Sequence, residues 1–246
     1  MSDAEPGYRR WVKNELRSFQ VRAGQSDLHI SAEQNLSELA QRVLHRVRGD
    51  LEAYLRRDPE FGTALTPRDI LPGGPPVVQE MAAAARTCGV GPMAAVAGAI
   101  AQQVGQALLA ESRQVIVENG GDIFIYTTRP RVAAVFADRS PLSGRIGVRI
   151  SRLRQPLGLC TSSGTVGPSL SFGRADAALV LATSAALADA AATALGNRIQ
   201  EESDISPSLE GLRAIDGILA AVVVLGEHLG AWGEVEITPV HPRGPS

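Results

Sequence analysis

The sequence is poor in the residues on which several common functions depend. It has 246 residues, of which two are cysteine, four are histidine and only 4% are aromatic. Cys88 and Cys160 have neither CxxC spacing nor a neighbouring histidine, which removes the usual zinc and thioredoxin-like interpretations. The histidines form no HExxH or paired-ligand pattern, so we expect them on the surface. So few aromatic side chains cannot build a base-stacking platform for single-stranded nucleic acid.

Strong charge and long apolar runs are also missing. The formal net charge is −2 and the pI is about 6.1, so no basic field is expected outside a local patch, and nucleic acid is not an expected partner. No apolar run approaches the ~18 residues that a membrane-spanning helix requires, and the N-terminus lacks a basic segment followed by an apolar one. We therefore expect a cytoplasmic protein that does not bind a membrane.

The order of the predicted elements indicates an α+β fold. A hairpin is predicted over residues 18–30 and a long amphipathic helix over residues 36–55. Alanine-rich helices begin near Pro76 and Pro92, and β patterning from Gln114 to Arg149 predicts an antiparallel meander. The C-terminal part is predicted to contain one helix and three strands, at residues 184–195, 177–181, 218–225 and 234–238. Because strands group with strands and helices with helices, α+β is favoured over a doubly wound sheet.

The chain is expected to form a single domain over residues 1–246. Five prolines and three glycines between Pro59 and Pro76 predict an ordered crossing loop or a boundary, and no clean domain break follows them. Residues 240–246 are expected to be a frayed tail. No repeat with a fixed period is present, so a solenoid or another repeat architecture is not expected.

The most informative segment runs from Cys160 to Asp176, because it is too poor in large apolar side chains to fill a core. It is rich in glycine and in hydroxyl groups that can donate hydrogen bonds. The candidate ligand-binding hydroxyls are those of Thr161, Ser162, Ser163 and Ser171. Such a surface suits phosphate. A mobile Ser/Gly linker is the alternative, but it fits poorly with the apolar run that begins at Ala177.

Two residues border this segment, and each has a simpler explanation. Asp176 either positions the segment for a ligand or is a turn residue. Cys160 is either a small buried apolar residue, as most free cysteines are, or a thiol that faces the ligand.

A second candidate site lies between two predicted strands. Its residues are Glu118, Asn119, Gly120, Gly121 and Asp122. Asn-Gly and Gly-Gly are strong signals for a hairpin turn, and a turn alone explains the glycines. A turn needs neither carboxylate, however, and the two together could bind the hydroxyls of a ribose or ribityl chain, or the water shell of a metal.

Asp189 and Thr193 form a candidate metal site on a predicted helix. Their four-residue spacing places a carboxylate and a hydroxyl on one helix face, among alanines and leucines. A carboxylate in such surroundings needs a partner if it is buried, so a hard-cation site competes with a position on the solvated face of the helix.

Taken in chain order, these motifs resemble the ApbE-like superfamily, and they match best its short cytoplasmic branch. The resemblance covers the chain from about Tyr8 to about Gly233. It rests on four blocks, which are Gly89-Val-Gly-Pro-Met-Ala-Ala-Val-Ala-Gly-Ala-Ile-Ala101, Val117-Glu-Asn-Gly-Gly-Asp122, the segment that Cys160 opens, and Ala188-Asp-Ala-Ala-Ala-Thr193. The fold that the resemblance implies is an antiparallel, tunnelling-fold-like sheet packed with alanine-rich helices.

The resemblance implies a chemistry as well. The superfamily includes magnesium-dependent FAD:protein FMN transferases, which split the FAD pyrophosphate and attach FMN to a serine or threonine of an acceptor protein. Asp189 and Thr193 match the A-D-A-x-x-T metal ligands, and Gly120-Gly-Asp122 matches the GGD turn on the flavin side. Mg²⁺ and FAD are therefore the implied cofactors, and a flavin nucleotide and an acceptor protein are the implied partners.

Two departures from the family pattern weaken the case for FMN transfer. Ala97 stands where the transferases have a lysine, and Pro168 stands where a histidine is expected. Three hypotheses follow: a magnesium-dependent flavin nucleotide hydrolase or FMN transferase, a non-catalytic flavin- or ligand-binding accessory protein, and a sulfur-assimilation factor that carries a persulfide on Cys160. The alanine-rich helices suit a homodimer interface as well as a core.

Overall fold

A computed structural model describes residues 16–137, 139–163 and 173–240. Within these ranges the chain forms eleven β-strands and five α-helices. The strands are β1 (Arg17–Ala23), β2 (Ser26–Ala32), β3 (Val115–Asn119), β4 (Asp122–Tyr126), β5 (Arg131–Ala134), β6 (Ile146–Ile150), β7 (Leu157–Ser162), β8 (Ala177–Ala182), β9 (Ile218–Leu225), β10 (His228–Gly233) and β11 (Glu236–Pro239). The helices are α1 (Ser37–Arg57), α2 (Pro76–Cys88), α3 (Val96–Leu108), α4 (Ala185–Arg198) and α5 (Ile205–Arg213).

Eight strands form one antiparallel sheet in the order β1-β2-β3-β4-β7-β8-β9-β10, and the other three form a small sheet in the order β11-β6-β5. All the helices that contribute to the larger core pack on one face of the large sheet, and the small sheet packs on the other face. Side chains alternate between these two faces along each strand. On β7, for example, Cys160 belongs to the helix side, whereas Leu157 and Leu159 belong to the side of the small sheet.

The predicted α+β class and the packing of alanine-rich helices on an antiparallel sheet are confirmed, but two local predictions are wrong. The β pattern from Gln114 to Arg149 is not one meander, because β5 and β6 leave the large sheet and β4 pairs with β7 instead. Residues 160–162 lie on β7 and not in a loop, since their register continues to Ser162 opposite Ala178. Sequence patterning also missed α5 and β10.

The crossing segment after α1 is fixed by a buried carboxylate. Asp58 is 5% exposed and accepts hydrogen bonds from two guanidinium nitrogens of Arg68, at 3.3 and 3.1 Å. The hydroxyl of Tyr54 accepts a hydrogen bond from the backbone N–H of Leu71 at 2.9 Å. The segment between Pro59 and Pro76 therefore has defined tertiary contacts despite its lack of regular structure.

Small residues allow α3, α4 and β7 to approach closely around Ala185. A Cβ atom on Gly98 of α3 would lie 2.2 Å from the carbonyl oxygen of Ala185. A Cβ atom on Gly158 of β7 would lie 2.3 Å from the Cα atom of Ala185. Because backbone cannot yield to such contacts as a flexible side chain can, glycine is required at both positions.

Within the described ranges, no single helix is both long and apolar enough to cross a membrane. Taken together, Pro76–Cys88 and Pro92–Leu108 are long and apolar enough for a membrane span by length and composition alone, with a bend of 106° between them.

We expect Gly158→Ala to lower the unfolding free energy by about 2 kcal/mol or more, because the added methyl group overlaps backbone atoms of α4. Gly49→Ala is the matched control, since a Cβ atom there meets nothing within 4 Å and the residue lies inside α1. That control should raise the unfolding free energy by about 0.5–1 kcal/mol. Urea unfolding monitored by circular dichroism measures both, and equal effects would contradict the proposed packing constraint.

Candidate functional site

The candidate site lies on the helix side of the large sheet, where the β3–β4 turn meets α3, α4 and β7. Asn119 and Asp122 are cross-strand partners on either side of the turn, so their side chains point to the same face. The Asn119 side-chain amide donates a hydrogen bond to the carbonyl oxygen of Ala97 at 3.1 Å. Cys160 of β7 points to this face as well and hydrogen-bonds with the Asp122 carboxyl.

Gly120 and Gly121 form the turn itself. Their φ angles are +67° and +110°, which lie in the left-handed region that glycine adopts most readily. A two-residue turn of this kind brings Asn119 and Asp122 directly opposite each other. The glycines thus explain the geometry of the turn, and the polar residues beside them are available for another role.

Asp189 reaches the same place from α4. Its carboxylate accepts hydrogen bonds from the backbone N–H groups of Gly98, at 2.9 Å, and of Ala97. These groups belong to the first turn of α3, where backbone N–H groups have no partner within the helix and the helix dipole is positive. Asp189 is thus at a tertiary contact between α4 and α3. Thr193 lies one turn further along α4 and is half-buried.

The two aspartates resist carrying two negative charges. Burial, together with a smaller effect of repulsion from Glu118, raises the pKa of Asp122 to about 7 although hydrogen bonds from Cys160 and the Thr161 N–H oppose this shift. Burial and repulsion from Asp122 raise the pKa of Asp189 well above its ordinary value, although the N–H groups of α3 oppose this. Among the described residues, no basic side chain contributes to the pKa shift of Asp122 or Asp189. The pair therefore lacks a basic counter-charge among the residues that the structure describes.

Cys160 is a buried thiol. Its residue is fully inaccessible, and its Sγ atom donates a hydrogen bond to the carbonyl oxygen of Ala185 at 3.4 Å. Burial raises the pKa of this thiol well above its ordinary value, and the charges of Asp122 and Asp189 raise it further. The simpler interpretation, a small buried residue, is the one that these surroundings favour, since a reactive cysteine needs exposure and a stabilised thiolate.

Glu118 does not converge with Asp122. It pairs with Ile123 across the turn, and Ile123 packs against the small sheet, so Glu118 lies on the opposite face from the aspartates. Thr161 likewise alternates with Cys160, and its backbone N–H, rather than its side chain, contacts Asp122. This register therefore does not favour the prediction that Glu118 and Asp122 bind one ligand together.

The remaining predicted ligand-binding residues have different positions. Ser162 lies on the helix side near the end of α4, where a Cβ atom on Gly196 would be 3.7 Å from its Oγ atom. Ser163 follows β7 and is half-buried, whereas Ser171 and Pro168 lie outside the described residues. Asp176 accepts a hydrogen bond from the Gly226 N–H at 2.6 Å and so anchors the β9–β10 turn. Its ligand-binding role remains a prediction, and its observed contact is that of a turn residue.

Sequence patterning missed a polar network that holds the start of α4. Gln102 of α3 is 7% exposed, and its side-chain oxygen accepts a hydrogen bond from the Ala185 N–H at 2.7 Å. Its amide nitrogen donates to Glu80 of α2 at 3.0 Å, and burial raises the pKa of Glu80. The signal was the presence of Gln102, Gln103 and Gln106 in a helix otherwise made of small and apolar residues, where an unpaired buried polar group would be costly.

The arrangement offers oxygen ligands for a hard cation. In the described ranges, no group of three or more histidine, cysteine or acidic side chains has a metal-binding arrangement. Asp122 and Asp189 provide two carboxylates, and Thr193 provides a hydroxyl nearby on α4. Carboxylate, hydroxyl and water oxygens are the ligands that Mg²⁺ prefers, and Mg²⁺ usually takes only one or two carboxylates from the protein.

Comparisons with known proteins agree with one another. A family described as "AbpE bacteria" matches residues 9–211. A UPF0280 protein of Methanocella arvoryzae is 43% identical over 194 residues, which cover 78% of this chain and 79% of the relative. A UPF0280 protein of Methanopyrus kandleri is 43% identical over 227 residues, which cover 89% of this chain and 91% of the relative.

Two solved structures share the fold. The flavin transferase ApbE from Vibrio cholerae matches with a TM-score of 0.58 and 14% identity, over 89% of this chain and 96% of that one. The apo form of the Pseudomonas stutzeri flavinyl transferase ApbE matches with a TM-score of 0.56 and 15% identity, over 88% of this chain and 93% of that one. At such identity the likeness establishes the fold, which is the one that the motifs predicted.

We expect the stability of the metal-free protein to fall as the pH rises through the titration of Asp122. The folded state binds this proton more tightly than the unfolded chain does, so the stabilisation is complete below about pH 4 and is lost as the pH passes about 7. Asp122→Asn should therefore be more stable than the wild type at pH 8 in EDTA, by about 2 kcal/mol once the partial exposure of Asp122 is allowed for. Urea unfolding across this pH range is the measurement.

The control for this comparison is Asp50→Asn, which removes an exposed carboxylate from α1. Its unfolding free energy should follow that of the wild type at every pH. An Asp122→Asn variant that does the same would show that Asp122 ionises freely in the folded state.

Cys160 should react slowly with a disulfide reagent such as DTNB in the folded protein, because the thiol is buried and its pKa is raised. A Cys88→Ser variant isolates the signal of Cys160. The reaction should become fast on addition of urea, and fast labelling of the native variant would contradict the burial of this thiol.

Proposed function

The chain belongs to the AbpE bacteria family of the ApbE-like superfamily, and from this premise we propose that it binds a flavin nucleotide together with Mg²⁺ at the Asp122–Asp189 cluster. One observation carries the proposal. Two carboxyl groups from distant parts of the chain are held close together, and within the described ranges no basic side chain offsets their charge. A protein tolerates such a pair when a bound cation supplies the missing positive charge.

The residues fit Mg²⁺ by their chemistry. Asp189 is oriented by the N–H groups of α3, and it retains lone pairs that those hydrogen bonds do not use. Asp122 is the first residue of β4, and Thr193 adds a hydroxyl on the same face of α4 as Asp189. Bound there, Mg²⁺ would neutralise the charge of a nucleotide pyrophosphate.

The surroundings of the cluster suit the rest of a flavin nucleotide. The Gly120–Gly121 turn presents backbone without side chains. The space beside it is open, because a Cβ atom on either glycine would meet nothing within 4 Å. A planar ring or a ribityl chain could therefore approach the turn closely. Ser162 and Ser163 at the end of β7 offer hydroxyl groups for phosphate oxygens.

Cleavage of the FAD pyrophosphate, with or without transfer of FMN to an acceptor protein, is the second candidate function. It is favoured by the two carboxylates of the cluster, because Mg²⁺ held by Asp122 and Asp189 would neutralise the charge that develops on the pyrophosphate during cleavage. Ala97 weakens it. The backbone of Ala97 contacts both Asn119 and Asp189, so the family's lysine would have stood beside the cluster, and here that positive charge is absent.

The sulfur hypothesis has less support. A persulfide carrier must expose its sulfur to a donor and an acceptor, and it reacts as a thiolate. Cys160 is inaccessible, and the two aspartates oppose its ionisation.

We expect purified protein to bind FAD more tightly in the presence of Mg²⁺ than in EDTA. Asp189→Asn should reduce the Mg²⁺-dependent part of this affinity by about tenfold or more, since a ligand to the cation is lost. Asp50→Asn, on the exposed face of α1, should leave it unchanged. Flavin fluorescence titrations of the three proteins measure the difference.

Chromatography of the same mixtures separates binding from chemistry. Release of AMP that requires both Mg²⁺ and Asp122 would support pyrophosphate cleavage and justify a search for the acceptor. Tight binding without AMP would support a non-catalytic flavin-binding role. If FAD does not bind under either condition, the proposed function is wrong.

A further inference from the structure

Charge is distributed very unevenly along the chain, although the net charge is close to zero. Residues 123–163 contain seven arginines and one acidic residue, Asp138. Residues 176–240, by contrast, contain ten acidic residues and two arginines. The average composition therefore conceals a strongly basic segment, and such an asymmetry often marks an interaction surface.

The fold gathers four of these arginines at one corner of the small sheet, around the buried residue Thr127. The Thr127 carbonyl oxygen accepts a hydrogen bond from the Leu153 N–H at 2.9 Å, which places Arg152 and Arg154 beside it. The Thr127 hydroxyl donates to the carbonyl oxygen of Arg129 at 2.8 Å. The Nε–H of Arg131 donates to the same hydroxyl at 3.4 Å. We call the group Arg129, Arg131, Arg152 and Arg154 the arginine corner.

Arg152 and Arg154 carry exposed charge at this corner. There, no carboxylate lies within ion-pair distance of Arg152 or Arg154, and both residues are exposed. The neighbouring arginine on β6, Arg149, is paired with Glu236 at 3.5 Å. Arg152 and Arg154 thus present guanidinium groups that are available to carboxylate or phosphate oxygens, which guanidinium groups bind in a bidentate manner.

The corner lies at the start of β5, which is an edge strand. β5 pairs only with β6 among the described strands. The Val135 N–H donates to Ile146 on β6, so by alternation the N–H groups of Val132 and Ala134 point away from β6, toward the open edge. Val132 is also 45% exposed. β5 itself contains no proline or lysine, but it is only four residues long, begins with Arg131 and directly follows Pro130.

We propose that the arginine corner and the open edge of β5 bind an extended acidic segment of a partner protein, which adds to the small sheet as a further strand. Backbone N–H and C=O groups of the edge supply hydrogen bonds to an extended peptide, and the guanidinium groups select acidic side chains on it. A long nucleic acid would extend beyond the corner over a protein whose formal net charge is −2, whereas a short acidic segment contacts the corner alone. This inference does not depend on the proposed flavin site, which lies on the opposite face of the large sheet.

A fluorescein-labelled peptide of alternating glutamate and valine tests the proposal by fluorescence anisotropy. The wild type should bind it, with an affinity that falls as salt is added. The double variant Arg152→Glu, Arg154→Glu should bind at least about tenfold more weakly, because two attractive charges become repulsive. The control is Arg42→Glu, Arg46→Glu on the exposed face of α1, which changes the net charge equally and should leave binding unchanged.

Ala134→Pro tests the strand-addition part separately, because proline removes an outward N–H group without altering charge. It should weaken peptide binding while circular dichroism shows an unchanged fold. Three results would overturn the proposal: no binding to the wild type, equal loss in the α1 control, or tighter binding of an oligouridylate than of the peptide. Retained peptide binding by Ala134→Pro would overturn the strand addition.

Discussion

The position of α4 depends on the contact of Ala185 with two glycines. Gly98 and Gly158 leave no room for a side chain against the Ala185 backbone, so α4 rests directly on β7 and beside the start of α3. The Gln102 side chain accepts a hydrogen bond from the Ala185 N–H and donates one to Glu80, so it links the start of α4 to α2. Close packing sets the distance between these elements and the hydrogen bonds set their register, and together they bring Asp189 to the first turn of α3.

This packing brings an electrostatic cost with it. Asp189 is surrounded by buried alanines, and among the described residues the charge that acts on it is that of another carboxyl group, Asp122. The N–H groups at the start of α3 compensate for part of the desolvation, but the pKa of both Asp122 and Asp189 remains raised. Destabilising groups of this kind are usually found at functional sites, and a bound cation would offset the repulsion between the two carboxylates.

Several elements were predictable because their signals are local. The amphipathic pattern identified α1, and the paired glycines between β runs identified the β3–β4 turn. The four-residue spacing of Asp189 and Thr193 marked a polar face on a helix otherwise made of small apolar residues. The motif blocks around these residues were sufficient to identify the superfamily, which the relatives and the solved structures then confirmed.

Other features depend on contacts that no local pattern encodes. The separation of β5 and β6 into a second sheet follows from the pairing of β4 with β7 across more than thirty residues of chain. Strand alternation determines that Asp122 faces the helices while Glu118 faces the small sheet, but only the register reveals which of the two joins Asp189. The sequence by itself determined the fold class, the superfamily and the residue types of the candidate site, because these are properties of short segments. The tertiary structure decided which carboxylates meet, that Cys160 is buried and that four arginines share one corner, because burial and proximity arise only when distant segments pack together.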